Sequence, residues 1–207
     1  SKSKSKNILI LGGSGFIGSY LVKNLVDVGA VVHCVVQELQ KNSNFLAWEL
    51  DKKTNLVFGT VLDFGLINTL LQKYEIDTIF HLAAQPLVQV ALKKPYETIQ
   101  VNVIGTLNIL EACRLNNNIK RIVIASSDKA YGSHNDLPYD ETFSLQGQYP
   151  YDVSKSCADL LSAAYGKTYD LPVAITRFSN VYGGGDLNFD RIVPETIKHI
   201  LFGEPIL

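Results

Sequence analysis

Short apolar runs alternate along the chain with segments whose apolar residues recur every three or four positions. The runs at 7–11, 31–36, 56–59, 78–81, 121–126 and 173–178 have the length and branched side chains of strands buried on both faces. Segments 16–28, 64–74, 96–116 and 151–169 carry the helical period instead. This alternation predicts an α/β fold, a doubly wound parallel sheet of the Rossmann type with helices on both faces. Gly29 and the triplet Asn116-Asn117-Asn118 follow two of the helices, so left-handed stops are expected there. The interval 131–150, rich in Gly, Asn, Asp and Pro, is the one long loop, and loops of that size in compact domains usually carry function.

Composition narrows the picture. The 207 residues are 46% hydrophobic and 19% charged, which suits one packed domain with disorder confined to its ends. A net charge of −1 leaves no footprint for nucleic acid or an anionic membrane, and the only basic cluster is the alternating Ser-Lys start. Residues 1–6 are therefore expected to be a flexible tail. No apolar run approaches the roughly 20 residues of a membrane span, and no signal-peptide core is present, so a cytoplasmic protein is expected. Cys34, Cys113 and Cys157 share no CxxC spacing, and His33, His81, His134 and His199 lack metal-ligand spacing, so reduced thiols and no metal are expected. The chain has no Met and stops on the apolar run Glu204-Pro205-Ile206-Leu207, which suggests a piece of a longer protein.

The first strand and helix enclose "GGSGFIG", with Gly12, Gly15 and Gly18 at GxxGxxG spacing around Phe16 and Ile17. Glycine permits the tight turn at the first site, lets backbone approach a pyrophosphate at the second, and allows close helix packing at the third. Free N–H groups and the positive end of the helix dipole then face the phosphate. The acid expected at the end of the second strand is replaced by Val36. Glu38, two residues on, is the candidate for the ribose hydroxyls, and no Arg stands nearby for a 2′-phosphate, which favours NAD over NADP. Asp63 reads equally as a partner for the adenine amino group and as a helix N-cap. Further along, Tyr151 and Lys155 stand four residues apart on one helix face, where an ammonium beside a phenol is expected to lower its pKa toward that of a general base.

Taken with "HLAA" at 81–84, "NVIGTLNILEA" at 102–112 and Ser127, these motifs resemble the extended short-chain dehydrogenase/reductases that act on nucleotide sugars, the NAD-dependent epimerase/dehydratase family. The resemblance runs from Asn7 to the end of the chain. It implies that Ser127 and Tyr151 hydrogen-bond the sugar hydroxyl being oxidised and that Lys155 also holds the nicotinamide ribose. It further implies that Ala83 and Ala84 line the cofactor groove, with Asn102 counted among the cofactor residues and supporting the site from its helix. Gln85, Asn180 and Arg191 become candidates for the nucleotide-diphosphate sugar, and helices near 96–116 and 151–169 for a homodimer surface. In the same terms, 7–178 is the NAD-binding domain and 179–207 the start of a substrate-binding region that is otherwise missing.

The residues after Ser127 separate reactions within the family. Epimerases resemble one another in small or neutral residues there, whereas Asp128-Lys129 resembles the CDP-glucose 4,6-dehydratase branch. Asp128 is then the acid for the departing 6-hydroxyl and Lys129 the base for the C5 proton, provided its site holds it neutral. Such a reaction returns NAD as it began, so the cofactor is expected to stay bound. The plainer readings are an exposed turn pair for Asp128-Lys129, a turn-forming Asn180 and a solvated helix start at Arg191. A nucleotide-sugar 4-epimerase or reductase, and a non-catalytic NAD-binding fragment, are the alternatives.

Overall fold

The computed structural model describes residues 6–205. Apart from Lys6, the expected tail lies outside the described residues, as do Ile206 and Leu207. The strands β1 (Asn7–Leu11), β2 (Val31–Val36), β3 (Asn55–Phe58), β4 (Thr78–His81), β5 (Arg121–Ser127) and β6 (Val173–Phe178) form one parallel sheet in the order β3-β2-β1-β4-β5-β6. All six predicted strands are present, each within about one residue of its expected bounds. From β1 the chain winds outward to β3, then returns to pair β4 on the other side of β1. That reversal opens a crevice at the carboxyl ends of β1 and β4, the usual ligand position in a doubly wound sheet.

Two cores follow from the two-residue period of the strands. Ile8 and Ile10 face Val22, Cys34, Phe45 and Leu50 on one side, while Leu9 and Leu11 face Ile67, Leu71, Ile109 and Leu110 on the other. The first core is closed by α1 (Phe16–Asp27) and the short α2 (Asn44–Ala47). The second is closed by α3 (Phe64–Lys73) and α6 (Gly105–Arg114).

The helix predicted over 96–116 is divided. It begins as α5 (Pro95–Ile99), widens into a π-helical stretch at Gln100–Ile104 and continues as α6, with α4 (Val88–Lys93) added before it. π-Bulges occur often at functional sites, and this one carries Asn102. Helix α7 (Pro150–Tyr169) starts one residue before its prediction, and α8 (Ile192–Phe202) begins directly after Arg191, where a helix start was one of the two readings. Pro194 sits in the first turn of α8, where its missing N–H is tolerated. Gly29 adopts φ 80°, as its position after α1 requires. The Asn triplet supplies no left-handed residue. Asn116 instead donates from Nδ2 to the Ala112 carbonyl (2.7 Å) and to Asn68 Oδ1 (2.9 Å), an amide substituting for the backbone stop.

Candidate active site

The glycine turn between β1 and α1 packs backbone against backbone. Gly12 holds φ 84°, and a Cβ there would lie 2.7 Å from the Ala83 nitrogen at the end of β4. A Cβ on Gly18 would run into the Gly12 carbonyl and come within 2.8 Å of Gly13 Cα, so only glycine lets α1 lie this close to the turn. Gly15, by contrast, would meet only the Gly12 oxygen at 3.4 Å. It is also the N-cap of α1, with no capping side chain and no acid in the first turn, so the amides at this end remain available to an anion. The crevice above has a volume of about 650 Å³, and Phe16, Ile17, Ala83 and Ala84 line it with the glycines. This shape and these free donors fit a dinucleotide diphosphate.

The ribose end is less sharply made. Val36 is buried, and Glu38 stands exposed on the rim of the crevice. Asp63 takes up the capping role that its position allowed: its Oδ1 accepts the Leu66 N–H at 2.9 Å as the N-cap of α3, and Gly59 and Val61, close to it in sequence, line the crevice.

Across the crevice, β5 ends on Ser127 and the first turns of α7 bring Tyr151 and Lys155 behind it, all three buried. The Lys155 ammonium donates to the Ala125 carbonyl at 2.9 Å, and burial pulls its pKa down to about 8. Burial also raises the Tyr151 phenol, which interaction with Ser127 opposes, Asp128 reinforces and Arg191 opposes. Desolvation thus outweighs the lowering expected at Tyr151, and the Lys155 ammonium donates to the Ala125 carbonyl. His81, wholly enclosed at the end of β4, has Nε2 3.0 Å from Thr106 Oγ1 and is held down to about 3 by burial, then by the Lys155 charge.

Asn102, expected to support the site from its helix, and several side chains that sequence reasoning passed over hold these groups in place. Asn102 is not exposed to the cofactor crevice. Its Oδ1 accepts the Gln85 N–H (2.8 Å) while Nδ2 donates to the Gln85 carbonyl (3.1 Å) and to Ser154 Oγ (2.9 Å), and Ser154 in turn donates to the Tyr151 carbonyl (2.6 Å). This buried chain ties the loop after β4 to the first turn of α7. Arg177 on β6 grips the buried Asp159 of α7 with two bonds (2.8 and 3.0 Å) and donates to the Tyr131 hydroxyl at 2.9 Å, just beyond the Ser127-Asp128-Lys129 turn. Ser156 donates to the Ala130 carbonyl of that turn at 2.8 Å. Ser127 serves the same turn by accepting the Lys129 N–H at 3.2 Å.

The remaining candidates are scattered. Ser127 Oγ donates to Asp128 Oδ1 at 3.2 Å, and Asp128 borders a second cavity of about 450 Å³ with Tyr139, Asp140 and Arg177. Lys129 is exposed, and its charge acts on Asp152. The Gln85 amide donates to Thr98 Oγ1 on α5 (2.9 Å) and to the Leu87 carbonyl (3.1 Å) and accepts the Leu87 N–H (2.6 Å). Asn180 is exposed, while Arg191 borders the main crevice and donates to the buried Asp186 at 3.0 Å. Among the described residues no cluster of His, Cys, Asp or Glu is suited to a metal, and no helix is long and apolar enough to cross a membrane.

Fold and site together define a Rossmann-type protein with a dinucleotide-shaped crevice and a buried Ser-Tyr-Lys set beside it. Residues 9–206 match the family model described as GDP-mannose 4,6 dehydratase, and the chain belongs to this family of NAD-dependent epimerases and dehydratases. It is 32% identical to the CDP-glucose 4,6-dehydratase of Salmonella typhimurium, the match covering 94% of this chain and 57% of that protein. Among solved structures it resembles the dTDP-glucose 4,6-dehydratase from Bacillus anthracis in complex with NAD (TM-score 0.84, 28% identity, 98% of this chain and 63% of that one). It also resembles the UDP-glucose 4-epimerase from Thermotoga maritima with UDP-glucose (TM-score 0.85, 26% identity, 96% and 64%). The chain thus spans less than two thirds of the length of each of these relatives.

Proposed function

We propose that the protein is a nucleotide-sugar 4,6-dehydratase of the CDP-glucose type, working with bound NAD. The observation that carries the reading is the burial of Ser127, Tyr151 and Lys155 together at the carboxyl ends of the strands, with Asp128 hydrogen-bonded to Ser127. The NAD complex of the Bacillus relative and the open glycine turn support the cofactor. When bound, NAD would supply an acceptor for the C4 hydride and its later return to C6.

The chain's own residues handle the protons. Tyr151 takes the C4 hydroxyl proton while Ser127 orients that oxygen, and Lys155 keeps a positive charge beneath them. The ketone at C4 acidifies C5–H. Lys129, once substrate covers it, removes the C5 proton as Asp128 protonates the departing C6 hydroxyl, so one water leaves. The same lysine returns a proton to C5 when C6 is reduced. In this reading Glu38 takes the adenosine ribose, Arg191 the sugar diphosphate, and residues from 179 onward begin the substrate region. Leu92, Tyr96 and Leu160, exposed on α4, α5 and α7, support a homodimer across these helices. The unpaired Cys34 and Cys113 are in keeping with a reducing, cytoplasmic setting.

The exposure of Lys129 favours a second reading, a 4-epimerase or reductase of the same family. Incubating the complete gene product with CDP-, dTDP-, UDP- and GDP-hexoses separates them. A 4-keto-6-deoxy product, lighter by one water and formed best from CDP-glucose, is expected. An isomeric sugar of unchanged mass would overturn the dehydratase reading. Lys129→Met should still oxidise C4 but stop exchange of the C5 proton with solvent, and unchanged exchange would remove Lys129 from the base role.

A further inference from the structure

The chain leaves β6 at Phe178 on one side of the crevice, yet a few residues later it touches α1 and α2 on the other. Its two hydrogen bonds converge on one atom. The Gly184 carbonyl accepts a hydrogen bond from the Tyr20 hydroxyl of α1 (2.9 Å) and another from Asn44 Nδ2 at the start of α2 (2.8 Å). Close approach depends on small residues here. A Cβ on Gly183 would touch the Phe16 ring at 3.4 Å, and Gly185 holds φ 82° where a Cβ would collide with the Asn44 amide. The anchor is rigid, because Tyr20 packs edge-on between Phe16 (5.9 Å) and Trp48 (4.9 Å).

Past this point the chain turns inward. Asp186 is buried and paired with Arg191, and Asp186, Leu187 and Asn188 border the same crevice as Gly15 and Phe16. Segment 179–190 thus runs from the β6 side to the α1 side and borders the crevice on the way. Neither Tyr20 nor Asn44 belongs to the glycine turn or to the Ser-Tyr-Lys set; Asn44 borders the crevice, whereas Tyr20 does not. Its hydroxyl acts on whatever lies there only through the Gly184 carbonyl.

We infer that Tyr20 and Asn44 are positioning residues that hold segment 179–190 as a strap across the crevice and so retain the dinucleotide through each turnover. The inference rests on the cofactor reading above and names the residues that carry out retention. A strap is what the proposed chemistry requires, since a dinucleotide lost between oxidation at C4 and reduction at C6 would strand the intermediate. Because both donors share one acceptor, losing one should weaken the strap and losing both should weaken it further.

The test uses the complete gene product loaded with NAD. Release is followed by trapping free NAD with an alcohol dehydrogenase and excess ethanol and reading NADH absorbance. Tyr20→Phe keeps the ring stack and removes only the hydroxyl. It should release NAD about threefold faster, and Tyr20→Phe with Asn44→Ala more than about tenfold faster, as one and then two net hydrogen bonds are lost. Gly185→Ala, which cannot keep both its φ and the Asn44 contact, should resemble the double variant. The melting temperature of the NAD-free Tyr20→Phe protein should stay at the wild-type value, which a merely structural role would lower. NAD bound by all forms and released at the wild-type rate overturns the strap alone. Wild-type protein that binds no NAD overturns the cofactor reading itself, and the strap with it.

Discussion

The two sides of the crevice are built by different physics. On the β1–α1–β2 side the ligand surface is backbone: a glycine turn, free amides and an apolar core of Ile8, Ile10, Val22 and Phe45 beneath. On the β5–β6–α7 side it is side chain: Ser127, Tyr151 and Lys155, held by buried polar groups that reach across the chain. The first arrangement suits a diphosphate, whose recognition needs shape and N–H donors. The second suits proton transfer, which needs titratable groups kept out of water and in place. A low local dielectric makes the second side fragile, since each polar group there depends on a partner that packing supplies.

Breaking a brace should therefore cost more than crowding the turn. Arg177→Met leaves Asp159 buried without its cation, and a loss of about 3–5 kcal/mol in unfolding free energy by chemical denaturation is expected, with activity falling as the 128–131 turn loosens. Gly18→Ala forces α1 away from the turn. It should cost about 1–3 kcal/mol and weaken NAD binding while the Ser-Tyr-Lys side stays folded, which calorimetric NAD titration and denaturation measure together.

Titration sharpens the contrast further. Lys155 is held near 8 in the folded chain against 10.5 ordinarily, so the unfolded chain binds more protons between these values. Folding stability measured relative to Lys155→Met should rise with pH through that window, by about 1.4 kcal/mol per pH unit, and a flat difference would mean that the lysine is solvated. The smallest effect is expected at Asp63→Ala. Loss of the α3 cap should cost about 1 kcal/mol and leave NAD affinity unchanged, whereas a weaker NAD complex would restore the adenine contact.

The same contrast explains what could be read from the residues alone. The sheet, the glycine turn and the Tyr-Lys spacing are local patterns, set by periods of two and 3.6 residues and by a turn that only glycine makes. The braces are not local. Asn102 meets Ser154 across 52 positions, Lys155 meets Ala125 across 30, and Arg177 meets Tyr131 across 46, and no spacing rule announces such pairs. Asp63 shows the reverse case, a residue whose local role as a cap was legible and competed with a more distant one. For Tyr151 and Lys155 the spacing located both groups but could not give their electrostatics. The direction of each shift comes from burial, which follows from packing and not from spacing.

The central claim is that the backbone side binds the dinucleotide while the α7 side carries out oxidation at C4. Tyr151→Phe in the NAD-loaded complete protein tests it most directly, by comparing NAD content with the rate of NADH appearance on mixing with CDP-glucose. NAD content equal to wild type with oxidation slowed by about a hundredfold or more is predicted. Oxidation at the wild-type rate would contradict the account.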